Sequence, residues 1–417
     1  MRGARAAAVA AVVLAGVLAP CTPAAAAPAT EQCVDPGTAL AQVPWAQERQ
    51  SPKTIWPVAD GAGTTVAVLS SGVDARHEQL AGRVRAGEDY LPESTSGADT
   101  DCRGVGTQVA GVIAADFVPN IGFSGLAPGA TIVSYRVALS TLVGTGEGVD
   151  ERAGTPATLA EGIRDATAAR PDVLVVPVVT YTDDPGLRAA VAAAIAADIV
   201  VVASVGNVSN PEQAAGLPYP AAYDGVVGVI AMNREGTLAG GGVAPAGVDL
   251  AAPGDELLST QAGGGLVEVG GSAIAAGYVA GTAALIRSRW PSAPATEVVR
   301  RLLATATPST ERAGDGIVNP VQAVTATLTT ASPEARVAEP KREAATGGDD
   351  GARRIALLAA AVLAAAALLG VAFAVALPRG RRRRWRPGFA PLPEEHPEDD
   401  APAPPRMLFE DWTAGKR

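Results

Sequence analysis

The chain has 417 residues, with 33 Lys and Arg against 43 Asp and Glu, a formal net charge of −10 and only two His. So acidic a balance argues against nucleic acid or anionic headgroups as partners of the globular part, since binding phosphate backbones draws on a surplus of Lys and Arg. No CxxC, HExxH, P-loop or glycine-rich dinucleotide signature occurs, so no cofactor and no metal is expected.

At the start, Arg2 and Arg5 precede an apolar run from Ala6 to Ala19 and then Ala24-Ala25-Ala26. That is the build of a secretory signal peptide over 1–26, cleaved near Ala26. A lipoprotein reading with Cys21 acylated competes, against Pro20 in a place that wants a small flexible residue. Residues 27–60 are rich in proline and polar residues and read as an extended N-terminal arm. From 61 to 328 apolar runs alternate with amphipathic stretches. Strands are predicted at Thr65–Leu69, Thr131–Val137, Val173–Val179, Ile199–Ala203 and Val226–Ala231. Helices are predicted at Thr155–Ala169, Gly186–Ala197, Ala273–Ser288 and Ala295–Ala304. Continuous runs such as Val173-Leu174-Val175-Val176 mark strands buried on both faces, hence an α/β fold, a doubly wound parallel sheet with helices on both faces.

Residues 329–354 form a solvated linker of Pro, Glu, Ala and Gly. The next 23 residues, Ile355 to Leu377, carry no charge and no proline, enough for one helix across a hydrocarbon core of roughly 30 Å. Two arginines precede this segment and Arg379, Arg381, Arg382, Arg383, Arg384 and Arg386 follow it, so the positive-inside rule puts the tail, 378–417, in the cytoplasm. The expected arrangement is a cell-membrane protein with a single span and its large domain outside. With the signal removed only Cys33 and Cys102 remain, in a compartment where disulfides persist. A bridge between them would contribute about 4 kcal/mol by loop-closure entropy; two free thiols is the alternative.

Four motifs carry a resemblance to a known family. Val66-Ala67-Val68-Leu69-Ser70-Ser71-Gly72-Val73 resembles a strand and turn that normally end in Asp-Thr-Gly or Asp-Ser-Gly. Gly104-Val105-Gly106-Thr107-Gln108-Val109-Ala110-Gly111 resembles a His-Gly-Thr-x-Val-Ala-Gly helix start. Gly271-Ser272-Ala273-Ile274-Ala275-Ala276-Gly277-Tyr278 is similar to Gly-Thr-Ser-Phe-Ala-Ala-Pro-Tyr, and Val201-Val202-Ala203-Ser204-Val205-Gly206-Asn207 to Val-Val-Ala-Ala-Ala-Gly-Asn. Together they resemble the subtilisin-like (peptidase S8) serine proteases, and within them the mycosins of type VII secretion, over roughly Cys33 to Ala326. The Cys33–Cys102 pairing also fits the mycosin pattern of an N-terminal extension tied to the domain.

The resemblance implies that Ser70 stands where the triad acid belongs, Val105 where the general base belongs and Ala273 where the nucleophile belongs, while Asn207 keeps the oxyanion-hole position. Alanine offers no nucleophilic oxygen, valine no proton acceptor and serine no charge. Loss of such a triad lowers turnover by on the order of 10⁶. Neighbours offer little replacement. Ser272 is rotated about 100° from Ala273 on the helix, and of the two histidines His396 lies in the tail and His77 near the start of a helix. Asp74 and Asp101 read as solvated turn carboxylates. Val175 and Pro177 stand where relatives carry polar residues, and Pro177 removes a backbone donor from an edge that could bind peptide as an added strand.

The expectation is a membrane-anchored, mycosin-like pseudoprotease that binds proteins or peptides, with type VII secretion membrane components as partners. The alternatives are a protease working through Ser272 and His77, and an extracellular peptide or cell-wall binding protein.

Overall fold

Among the described residues seven strands build one sheet in which every neighbouring pair is parallel: β1 (Thr65–Ser70), β2 (Val84–Asp89), β3 (Thr131–Arg136), β4 (Val173–Val176), β5 (Val200–Ser204), β6 (Val227–Met232) and β7 (Leu250–Pro253), in the spatial order β2-β3-β1-β4-β5-β6-β7. An antiparallel hairpin, β8 (Leu257–Thr260) and β9 (Leu266–Val269), follows. The helices are α1 (Trp45–Gln50), α2 (Pro52–Ile55), α3 (Val105–Ala114), α4 (Pro156–Ala168), α5 (Pro185–Ala196), α6 (Ser272–Arg289), α7 (Ala295–Ala304) and α8 (Pro320–Thr325). This computed structural model describes residues 33–328 apart from 92–96, 145–153, 208–215, 242–243, 310 and 312, together with Ala360. The expected signal peptide and tail, and the apolar segment 355–377 save Ala360, lie outside the described residues. Among the described residues no helix is long and apolar enough to cross a membrane.

The period-2 alternation of strand side chains divides the core into two layers. Val66, Val68, Val173, Val175, Val200 and Val202 point to the face covered by α3, α6, α7 and α8. Ala67, Leu69, Leu174, Val176, Val201 and Ala203 point to the face covered by α4 and α5. Both faces are dry, which is why the strands read as unbroken apolar runs. The helices on the second face start at side-chain caps. Thr155 accepts the Thr158 N–H of α4 in a capping box, and Asp184 accepts the Leu187 N–H of α5, each followed by proline at the first helical position. By contrast α6 is buried from Ser272 to Arg287 and runs through the middle of the first layer. Its Gly277 lets α3 approach, since a Cβ there would stand 3.3 Å from the Val109 carbonyl oxygen.

Several expectations need correction. The strand expected over Val173–Val179 stops at Val176, because Pro177 has no N–H to extend the ladder. β2 has no apolar run, being an edge strand with exposed charges, and β7 is only four residues long. The arm is not simply extended. It folds into α1 and α2 and buries Trp45, Ala46 and Ile55 in the core. Trp45 Nε1 donates to the Asp255 carbonyl at 3.1 Å, and the Gln47 amide bonds the Ser124 backbone. Ahead of α1 the arm is pinned by the Cys33–Cys102 disulfide and by Thr38 and Leu266, which exchange two backbone hydrogen bonds of 2.8 Å.

Candidate functional site

In open α/β sheets ligands bind at the carboxyl ends of the strands, where the order of connections reverses. Here the reversal falls at β1 and β4: the chain goes from β1 outward to β2 and β3, then crosses to β4 on the other side of β1. Ser70 is the last residue of β1, Val105 the first of α3, Ala273 the second of α6, and Asn207 follows β5. The structure gathers them at this carboxyl edge in two junctions.

At the first junction the start of α3 lies against the turn after β1. A Cβ on Gly106 would stand 1.8 Å from the Gly72 carbonyl oxygen and 3.2 Å from Ser70 Cβ, so only glycine permits the approach. The Gly106 N–H donates to Ser71 Oγ at 3.1 Å. Asp101 seals the helix start. Its Oδ1 accepts the N–H of Arg103 and Gly104 at 2.9 and 2.8 Å, and its Oδ2 accepts the Thr107 N–H and hydroxyl at 3.0 and 2.8 Å. Asp101 is therefore not a solvated turn carboxylate but a buried cap. Burial pushes its carboxyl above the ordinary value, against the downward pull of the Thr107, Gly104 and Ser71 donors.

Asp74 needs the same correction, at 4 % exposure. Its Oδ2 accepts the Gly263 N–H at 2.9 Å and its Oδ1 the Arg76 N–H at 3.1 Å, while its own N–H donates to Thr107 Oγ1 at 2.9 Å. Burial would raise this carboxyl, but the Gly263 and Arg76 donors and the Arg76 charge together hold it below the ordinary value. Beneath the turn sits Arg136, also 4 % exposed and not singled out by the sequence reading. Its guanidinium meets Asp89 at 3.1 Å and donates to the carbonyls of Ser71, Gly97 and Thr100 at 3.2, 3.0 and 2.6 Å. An arginine closing an otherwise uncharged, largely buried strand was the available signal.

At the second junction Asn207 Oδ1 accepts the Ser272 N–H at 2.8 Å, so the exposed amide serves the start of α6. Gly271, at φ 101°, makes room for it, since a Cβ there would sit 2.6 Å from Asn207 Nδ2.

The replacements considered for nucleophile and base are both spent on structure. Ser272 Oγ accepts the Ala231 N–H at 3.1 Å, turned into the sheet at 1 % exposure. His77 is equally buried; its Nε2 lies 2.8 Å from the Gly265 carbonyl and its Nδ1 accepts the Gln79 N–H at 3.1 Å. One donor and one acceptor are all a neutral imidazole has. Among the described residues no cluster of three or more His, Cys, Asp or Glu is placed to hold a metal ion. What the arrangement supplies is a helix start, an amide and close packing, with no general base at 105 and no oxygen at 273.

Comparison with known proteins follows the same lines. A family profile described as the subtilase family, peptidase S8, matches residues 61–331. Mycosin-4 of Mycobacterium tuberculosis is 33% identical over 309 residues, covering 66% of this chain and 67% of mycosin-4. Subtilisin E of Bacillus subtilis is 34% identical over 247 residues, 59% of this chain and 61% of that protein. Among solved structures, the MycP3 protease from the type VII (ESX-3) secretion system is 30% identical with a TM-score of 0.60, covering 71% of this chain and 93% of its own. MycP1 from Mycobacterium smegmatis is 25% identical with a TM-score of 0.61, over 74% and 93%.

Proposed function

The chain belongs to the subtilase family and is of mycosin type, and from that premise we propose that it is a catalytically silent member, a membrane-anchored binding or scaffold component associated with type VII secretion. The observation that carries the reading is the trio Ser70, Val105 and Ala273 at the triad-equivalent positions, with Ser272 and His77 both committed to buried hydrogen bonds. Folding signals are kept around each position while the reacting groups are gone. The membrane anchor rests on the 23-residue apolar segment and its arginine flanks, and the association with secretion on the mycosin likeness.

The test has two arms. The purified full chain should take no label from a fluorophosphonate probe, whereas Ser70→Asp/Val105→His/Ala273→Ser should gain labelling at the restored serine. Labelling of the unaltered chain, abolished by Ser272→Ala, would establish the protease reading instead. In the second arm the solubilised protein should co-purify with type VII secretion membrane components; their consistent absence would remove the scaffold role.

A further inference from the structure

β1 ends at Ser70, where the chain turns away at Ser71-Gly72, while the segments that follow β3 and β4 on either side lead onward from the sheet. After β3 the chain reaches Thr141–Val143, and after β4 it passes through Pro177–Thr180. Two neighbours of a missing strand stand two strand spacings apart, about 9.6 Å, which is room for one extended peptide. That room is not there. The Val143 N–H donates to the Val179 carbonyl at 2.9 Å, and the Val179 N–H donates to the Thr141 carbonyl at 2.8 Å. The two continuations form a parallel bridge, Leu142 with Val179, directly against each other.

The other edge of the same segment is engaged as well. Thr180 and Tyr219 exchange both of their backbone hydrogen bonds, at 2.9 and 2.7 Å, in an antiparallel bridge. Side chains fill what remains. Val143 and Val178 are buried in the layer beneath α4 and α5, which anchors the closure from below, and Val179, between Val178 and Thr180, is itself buried. Over the turn that leads to Asn207, Val179 Cγ1 and Tyr181 Oη come within 3.2 and 3.3 Å of where a Gly206 Cβ would be. Pro177 has no N–H to offer an incoming strand.

We propose that the slot for an extended peptide at the switch point is closed by the chain itself, through the backbone pairing of 141–143 with 179, so that no peptide adds a strand there. This goes beyond the loss of the triad, which concerns the reacting groups and not the seat for a substrate. It makes the silence double: restoring the chemistry alone leaves the substrate without a place to lie.

Hydrogen–deuterium exchange on the unaltered full chain tests it, with and without millimolar succinyl-Ala-Ala-Pro-Phe-p-nitroanilide. Fragments covering 141–143 and 178–180 should exchange about 100-fold slower than the free-chain rate, and the peptide should change nothing. Exchange at the free-chain rate, or protection that appears only with peptide, would overturn the closure. Val143→Pro deletes one of the two donors; it should speed exchange at 178–180 about 10-fold and let the peptide restore protection. A variant as protected as the unaltered chain would show that this pairing is not what shuts the slot. Fluorophosphonate labelling of the unaltered chain would count against catalytic silence while leaving the exchange result standing, so the two readings fail separately.

Discussion

The two junctions at the carboxyl edge hold their helices by different means. At β1–α3 the helix start is locked by buried ionisable groups: Asp101 accepts four donors, Asp74 ties the turn to Gly263 and Thr107, and Arg136 binds Asp89 and three carbonyls. At β5–α6 the lock is neutral and light, one amide oxygen of Asn207 on the Ser272 N–H and one Ser272 hydroxyl on the Ala231 N–H. The first junction holds two positions that in the resemblance would react, Ser70 and Val105, and the second holds Ala273, while the side-chain hydrogen bonds that hold each junction come from other residues. Catalytic groups can leave a subtilase-like domain because the helix starts that present them are held by other side chains.

This contrast can be broken by substitution. Arg136→Ala should have the largest effect, about 3–5 kcal/mol in urea unfolding of the full chain, because it strands the Asp89 charge and takes the donor from three carbonyls. A loss below about 1 kcal/mol would mean the buried charge is not what holds the turn. Asp101→Ala comes next at about 2 kcal/mol, since it uncaps α3 and leaves buried N–H groups unpaired. Asn207→Ala should lower stability by less than about 1 kcal/mol, because the amide is exposed and water can take its place. Equal losses for Asp101→Ala and Asn207→Ala would erase the distinction between the junctions.

Much of the fold was legible because its elements are buried on both sides or strongly periodic. α7 spans the residues predicted for it, and β5 and β6 start and end within one residue of expectation. β2 was not legible, because an edge strand reading Val-Arg-Ala-Gly-Glu-Asp needs no apolar run. Nor were α1 and α2, whose burial depends on distant partners such as Asp255 and Leu126. At the site, glycine-framed motifs were enough to pick out Ser70, Val105, Ala273 and Asn207 as positions to examine. Whether Asp74 and Asp101 are solvated was beyond the sequence, since Thr107 and Gly263 reach them only through the fold. The pairing of 141–143 with 179 is made by backbone atoms, and Pro177 was its single trace in the sequence.

The smallest expected effect is a pH dependence of opposite sign at the two carboxylates of the β1–α3 junction. Asp74 is held below its ordinary value when folded, so its contribution is present above the unfolded value, about pH 4, and is lost as pH falls through the folded value. Asp101 is held above its ordinary value, so the folded state takes up its proton first and gains stability as pH falls through the folded value toward about pH 4. The two trends partly offset each other in the unaltered chain. Asp74→Asn should therefore flatten the decline of the urea midpoint below about pH 4, while Asp101→Asn should make the decline on acidification begin earlier and run steeper. Urea midpoints followed from neutral pH into the acid range for the three proteins decide it. A shallower decline in Asp101→Asn than in the unaltered chain would mean that the donors of Thr107, Gly104 and Ser71 outweigh burial at that carboxyl, and the β1–α3 lock would then be uniformly acid-labile.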